Sequence, residues 1–214
     1  LKEMNLTSDF SKSSPDFWVK SEKEFYIEAT VAAPPEGGQP PHSFSIDHGP
    51  KDFNKFNADS ALRICNSFSA KEKKYKKSYS KYDHVKNKPF VVAIASYDRP
   101  FSHMAANRPI FAAVYGLYYD EEFTIENNLA DVCRYNVDSV KKNDKTDIPV
   151  GFFLDESYSH VSAVIYSALA TWGKVRALAN NPDANSVYVS FHPNENDIKP
   201  IVKQSLKRDY AEDL

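Results

Sequence analysis

Cysteine is scarce in this sequence. The 214 residues include two, Cys65 and Cys133, with no CxxC pair and no Cys/His spacing suited to a metal. That count speaks against a disulfide framework and against a thiolate zinc site. Both cysteines fall in apolar patterns read as helical, so buried thiols are expected. Such thiol-poor usage suits a reducing, cytoplasmic setting. Long apolar runs are also missing. The longest candidate, VSAVIYSALATW, contains polar residues and falls short of the roughly 18–20 residues a membrane span needs. No signal peptide is recognisable. The chain opens at Leu1 rather than at a methionine, so a fragment with its natural N-terminus missing is expected. An excess of positive charge is lacking too. The net charge is -2, so nucleic-acid contact would have to come from a local basic patch. Several catalytic signatures are absent: there is no glycine-rich phosphate loop, no HExxH and no GxSxG. The histidines, among them His42, His48, His103 and His192, are scattered and read as surface or loop residues.

What is present argues for a folded protein. Aromatic residues make up 14% of the chain and hydrophobic residues 42%, too much apolar content for global disorder. The length suits one domain, expected to span residues 1–214. Strand signals lie at Phe17–Val19 and Phe25–Thr30. A Pro/Gly-rich stretch, Ala33–Phe44, excludes helix and central strand and predicts a mobile surface loop. Asp59 or Ser60 can cap a helix running to about Tyr82, with Ala58, Ala61, Leu62, Cys65 and Phe68 on its buried face. The PFVVAIASYD run between Pro89 and Pro100 predicts a central strand buried on both faces. NRPIFAAVYG reads as a short helix with Pro109 near its start and Gly116 as its C-cap. Residues 120–148 give no clear pattern. VGFFLD and SVYVSF are strand candidates, HVSAVIYS leans to a strand, and NNPDANS is a turn cluster. The tail, 195–214, is amphipathic and expected to be helical. Trp18 and Trp172 read as core or rim residues. The fold class expected is α/β, with strands and helices interleaved.

Two acids interrupt the first ribbon. If its turn centres on Glu22, Phe17 faces Ile27 and Asp16 faces Glu28, both acids on one side. Opposed side chains lie about 4.5–5.5 Å apart at Cβ. Like charges so close need a cation between them, and a divalent ion with oxygen ligands is the natural candidate. A solvated surface hairpin is the plain alternative. Glu28 weakens it, because the acid sits in the small, apolar stretch IEATVAA, where an unpaired carboxylate is costly. On the following helix, Arg63, Ser67, Lys71 and Lys74 form a polar stripe beside the apolar face. The run AKEKKYKKSYSKYDHVKNK adds further lysines, Lys77 among them, with Tyr75, Tyr79 and Tyr82 interleaved. Such a stripe can grip phosphates, and a lysine beside a metal can stabilise developing negative charge. An exposed helix with ordinary surface lysines is the competing reading.

Pro15-Asp16, followed after a turn by Glu28-Ala29-Thr30, resembles the PD-(D/E)xK nuclease superfamily, the restriction-endonuclease-like fold. Thr30 stands where the motif usually has lysine. Some branches supply that lysine from the next helix, in the form R-x-x-x-[ST]-x-x-x-K, as Arg63, Ser67 and Lys71 stand here. The PFVVAIASYD strand, the IFAAVYG helix, the HVSAVIYS strand and the NNPDA turn extend the resemblance to about Val189, toward a bacterial branch. The resemblance implies a mixed central β-sheet flanked by helices, and Mg²⁺-dependent phosphodiester hydrolysis in which Mn²⁺ can substitute. It makes Asp16 and Glu28 the metal ligands, with the Ala29 carbonyl as a third. Lys71 would replace the motif lysine, with Lys74 as the alternative. Arg63, Ser67, Lys74 and Lys77 would meet nucleic acid, and Arg63 and Ser67 could instead support the carboxylates. Glu3 would be the helix acid many members carry before the PD motif. DNA is the favoured substrate, restriction or mobile-element defence the favoured setting, and a homodimer fits double-strand cutting. Two rivals stand beside this reading. One is a degenerate nuclease fold that binds nucleic acid or a protein without cleaving. The other is an unrelated α/β protein, which predicts neither metal stabilisation nor nucleic-acid affinity.

Overall fold

The computed structural model describes residues 11–20, 24–43, 49–143 and 145–169, and the backbone of 7–9, 186–190 and 201–206. The chain divides into two compact units, Asp9–Leu169 and Leu1–Ser8 with Ala170–Leu214.

The first unit is α/β. Its mixed sheet runs in the order β1 (Phe17–Lys20), β2 (Phe25–Ala32), β3 (Phe90–Ser96) and β8 (Ala163–Ser167). β1 pairs antiparallel with β2, while β2, β3 and β8 are mutually parallel. β3 holds the centre because FVVAIAS is β-branched and apolar, and strands covered on both faces need no polar alternation. Phe90, Val92 and Ile94 are buried on it. The HVSAVIYS segment is a strand at its carboxyl half, as its alternation suggests.

The β2-to-β3 crossover carries the long helix α1 (Phe53–Lys77). Its start lies before the expected cap. Asp52 is the N-cap, its Oδ1 accepting the Lys55 N–H at 2.6 Å, so Asp59 and Ser60 are free for other bonds inside the helix. Its end also comes early, because Tyr79–Lys81 tightens into a 3₁₀ turn that carries the buried Tyr79 ring inward. Ile64, Cys65 and Phe68 face the sheet, and Phe68 stacks on Phe152 at 4.6 Å. Burial pushes the Cys65 thiol up to about 12, which suits an inert core thiol. Cys133 differs from expectation: it is a half-buried strand residue, and both cysteines are free thiols.

Helix α2 (Arg108–Tyr115) has Pro109 in its first turn and ends at Gly116, whose φ of 61° is the left-handed cap. The unpatterned stretch after it contains β4 (Leu117–Asp120), α3 (Glu121–Glu126), β5 (Cys133–Asn136), β6 (Ser139–Asn143) and β7 (Thr146–Pro149). β4 pairs with β5 and β6 with β7, both antiparallel. VGFFLD is a turn and not a strand. Gly151 takes a φ of 78°, and the Gly151 and Phe152 N–H groups both donate to the Ala113 carbonyl. Its apolar signal comes from Phe152 packing on Phe68.

In the second unit, β9 (Ser186–Ser190) and β10 (Ile201–Leu206) form an antiparallel pair. The helix expected over 195–214 is not found: the described part of that tail is strand. Pro200 bars the helical approach, and Ile201 and Val202 favour a strand once Val187 and Val189 offer a partner. The NNPDANS turn, apart from Ser186, together with Trp172 and His192, lies outside the described residues. No helix among the described residues is long and apolar enough to cross a membrane.

Candidate active site

The ribbon register pairs Phe17 with Ile27, Trp18 with Tyr26 and Val19 with Phe25, as the spacing predicts. One step on, the ladder is continued by side chains. The Ala29 N–H donates to Asp16 Oδ2 at 2.7 Å, and the Asp16 N–H reaches Glu28 Oε2 at 3.3 Å. Asp16 is exposed, whereas Glu28 is 0% exposed. The two acids therefore meet at one end of the ribbon in different environments.

Helix α1 supplies the countercharge. Lys71 and Lys74, one turn apart, each place Nζ 2.9 Å from Glu28 Oε1. The Tyr79 hydroxyl donates to Glu28 Oε2 at 3.0 Å. A carboxylate offers about four lone-pair sites, so the two ammoniums, the hydroxyl and the Asp16 N–H occupy its full capacity. Burial by itself raises the Glu28 pKa. The bonds from Lys71, Lys74 and Tyr79 outweigh it and hold the carboxyl below its ordinary value. Lys74 is pushed up, first by Tyr79 and then by Glu28, so it stays an ammonium. Burial raises Tyr79 as well, which keeps its hydroxyl a donor. The sequence offers Tyr79 only as one of the tyrosines between lysines, which read as helix surface; the early helix end turns it inward.

The remaining predicted residues divide. Arg63 donates through Nε to the Ala33 carbonyl at 2.8 Å and through Nη2 to the Pro34 carbonyl at 3.3 Å. Ser67 Oγ reaches the Val31 carbonyl at 3.4 Å. Both thus pin α1 to the carboxyl end of β2 and the loop after it. Lys77 is exposed at the end of α1. His84, which falls in the lysine run, lies 3.0 Å from the Ser14 carbonyl and stacks on Tyr82, so it buttresses the chain just before Asp16. Thr30 is half-buried on β2, and Glu3 lies outside the described residues.

In a strand the N–H and C=O of one residue point to the same side. Since the Ala29 N–H points at Asp16, its carbonyl faces the same edge. The oxygen donors there are two carboxylates and one carbonyl. Among the described residues, no group of three or more His, Cys, Asp or Glu side chains is arranged to hold a metal ion. Comparison with protein-family models, curated proteins and solved structures finds no match for the chain.

Proposed function

We propose that this protein is a metal-dependent nuclease of the PD-(D/E)xK kind, hydrolysing phosphodiester bonds, with DNA as the favoured substrate. One observation carries the reading: the Asp16 N–H and Lys71 Nζ both reach the Glu28 carboxylate, and the Asp16 carboxylate accepts from the neighbouring Ala29 N–H. The donor chemistry fits a hard divalent cation, which takes one or two carboxylates, a carbonyl and waters. Asp16, Glu28 and the Ala29 carbonyl would hold it, the ion displacing one of the four donors now on Glu28. Bound there, Mg²⁺ or Mn²⁺ would supply charge neutralisation and a more acidic water.

The chain's own groups do the rest. The Lys71 and Lys74 ammoniums are held on Glu28 before substrate arrives, and can stabilise the negative charge that builds on phosphate in the transition state. Tyr79 and His84 fix the geometry from behind. Thr30, at the usual lysine position, makes no demand on the site once lysines arrive from α1. A restriction-endonuclease-like core belongs to this proposal, and so do a homodimer and a role in defence.

A second reading is favoured by the saturated acceptors of Glu28. With two lysines already on it, the cluster is neutral without a cation, as a degenerate module that only binds nucleic acid or protein would require. Cleavage of supercoiled plasmid, single-stranded DNA and RNA, with Mg²⁺, Mn²⁺ or EDTA, separates the two. The nuclease reading expects metal-dependent cutting that falls about 100-fold or more in Lys71→Ala and is lost in Asp16→Asn and Glu28→Gln. Lys74→Ala should cost less, since Lys74 is 48% exposed against 21% for Lys71. An inert parent that still binds nucleic acid would favour the degenerate module.

A further inference from the structure

A second polar cluster lies at the carboxyl end of β3, outside the acid–lysine site. Asp98 is 1% exposed, yet its charge is fully engaged. Its Oδ2 accepts from Ser60 Oγ at 2.9 Å and from Arg99 Nε at 2.6 Å, and its Oδ1 accepts from Ser96 Oγ at 3.0 Å. Arg99 Nη1 reaches Asp59 Oδ2 at 3.3 Å, and the guanidinium carbon sits 5.3 Å from the Phe56 ring centroid. Two acids thus clamp one planar cation on an aromatic ring. Burying a charge is costly, and here the cost falls at the wall of a cavity of about 500 Å³.

That cavity opens at the carboxyl ends of parallel strands, where open α/β sheets bind ligands. Its size falls within the range of small-molecule sites. Phe56, Leu62, Pro35 and Pro100 give it apolar walls, and Arg63 and Lys142 line it as well. Asp98 is taken by Arg99, and Asp59 by Arg99 and by Lys55 at 2.7 Å, so the two acids are balanced by two cations. Neither Arg63 nor Lys142 has an acidic partner among the described ion pairs, so the cleft keeps two uncompensated cations beside an apolar slot. None of Asp16, Glu28, Lys71 and Lys74 lines it. Arg63 precedes Lys71 by eight residues of α1, about 12 Å along the helix axis.

We infer that this cleft binds a small organic anion of mononucleotide size: a flat apolar ring against Phe56 and the prolines, with a phosphate or carboxylate head on Arg63 and Lys142. The site does not depend on the nuclease reading. Calorimetric titration of the protein with adenosine monophosphate, uridine monophosphate, benzoate, adenosine and inorganic phosphate tests it. The expected result is binding of at least one ringed anion, about tenfold or more tighter than adenosine or phosphate alone. The nucleotides and benzoate separate a phosphate from a carboxylate head. Lys142→Ala, on an exposed strand position, should weaken binding about tenfold, and Phe56→Leu should weaken it too. Lys141→Ala, exposed on the same strand and outside the cleft lining, should leave it unchanged. Binding no tighter for the ringed anions than for phosphate, or binding that survives Lys142→Ala, would overturn the inference.

Discussion

Glu28 shows how one residue can be both buried and charged. With no exposed surface, the carboxylate would be expelled or protonated without partners; Lys71, Lys74, Tyr79 and the Asp16 N–H hold it ionised. Its depressed pKa fixes the sign of a pH effect. The stabilisation is fully present above the ordinary glutamate range, near pH 4, and is lost as pH falls through the lower folded-state value. Glu28→Gln should therefore lower stability by about 1–3 kcal/mol at neutral pH. The gap in melting temperature between parent and variant should close in acid. Thermal melts from acid to neutral pH check this; a gap independent of pH would mean the charge is not what the partners stabilise. Asp16 and Glu28 were legible as a pair because strand alternation and turn position are local. The four donors on Glu28 were only half legible. Lys71 and Lys74 follow from helical spacing, whereas Tyr79 depends on where the helix stops, which tertiary burial decides.

At the scale of elements, punctuation decided what could be read. Gly116 was recognisable as a cap because its left-handed φ needs glycine. An added Cβ would meet the Val137 carbonyl oxygen at 2.5 Å, and the residue already donates to Ala112. Gly116→Ala should cost about 2 kcal/mol or more and lower the melting temperature by about 5 °C or more. A neutral outcome in a calorimetric scan would contradict the packing between α2 and the turn before β6. The sequence misplaces the start of α1 because Asp52, Asp59 and Ser60 are all good caps. Which one serves depends on Arg99 and Asp98 claiming the later two. Residues 120–148 give little signal because their short strands pair locally and are mostly exposed, leaving no long apolar period. Amphipathicity alone suggests a helix for the tail, and over six residues a short paired strand satisfies the same pattern.

For the whole molecule, the net charge of -2 leaves no broad field to draw a polyanion. Any nucleic-acid affinity would rest on a few cations along α1, Arg63, Lys71, Lys74 and Lys77. Each phosphate contact contributes about -0.7 to -0.9 to the slope of log affinity against log salt. A slope between about -2 and -4 is expected from binding measured across a salt series. A slope near zero would remove the electrostatic interface, and a much steeper one would extend it along the rest of the lysine run. The mixed sheet of the first unit was foreseeable from the apolar run of β3. Its parallel pairing to β2 was foreseeable from the long intervening helix. The division into two units was not, because no composition shift marks residue 169.

The central claim is that the two acids exist to hold a metal. Isothermal titration of Mn²⁺ into the parent, Asp16→Asn and Glu28→Gln proteins tests it without depending on knowing the right substrate. One saturable site in the parent, lost in both variants while their melts remain cooperative, is the expected result. No binding in the parent, or binding untouched by either substitution, would contradict it and leave the lysines as Glu28's permanent partners.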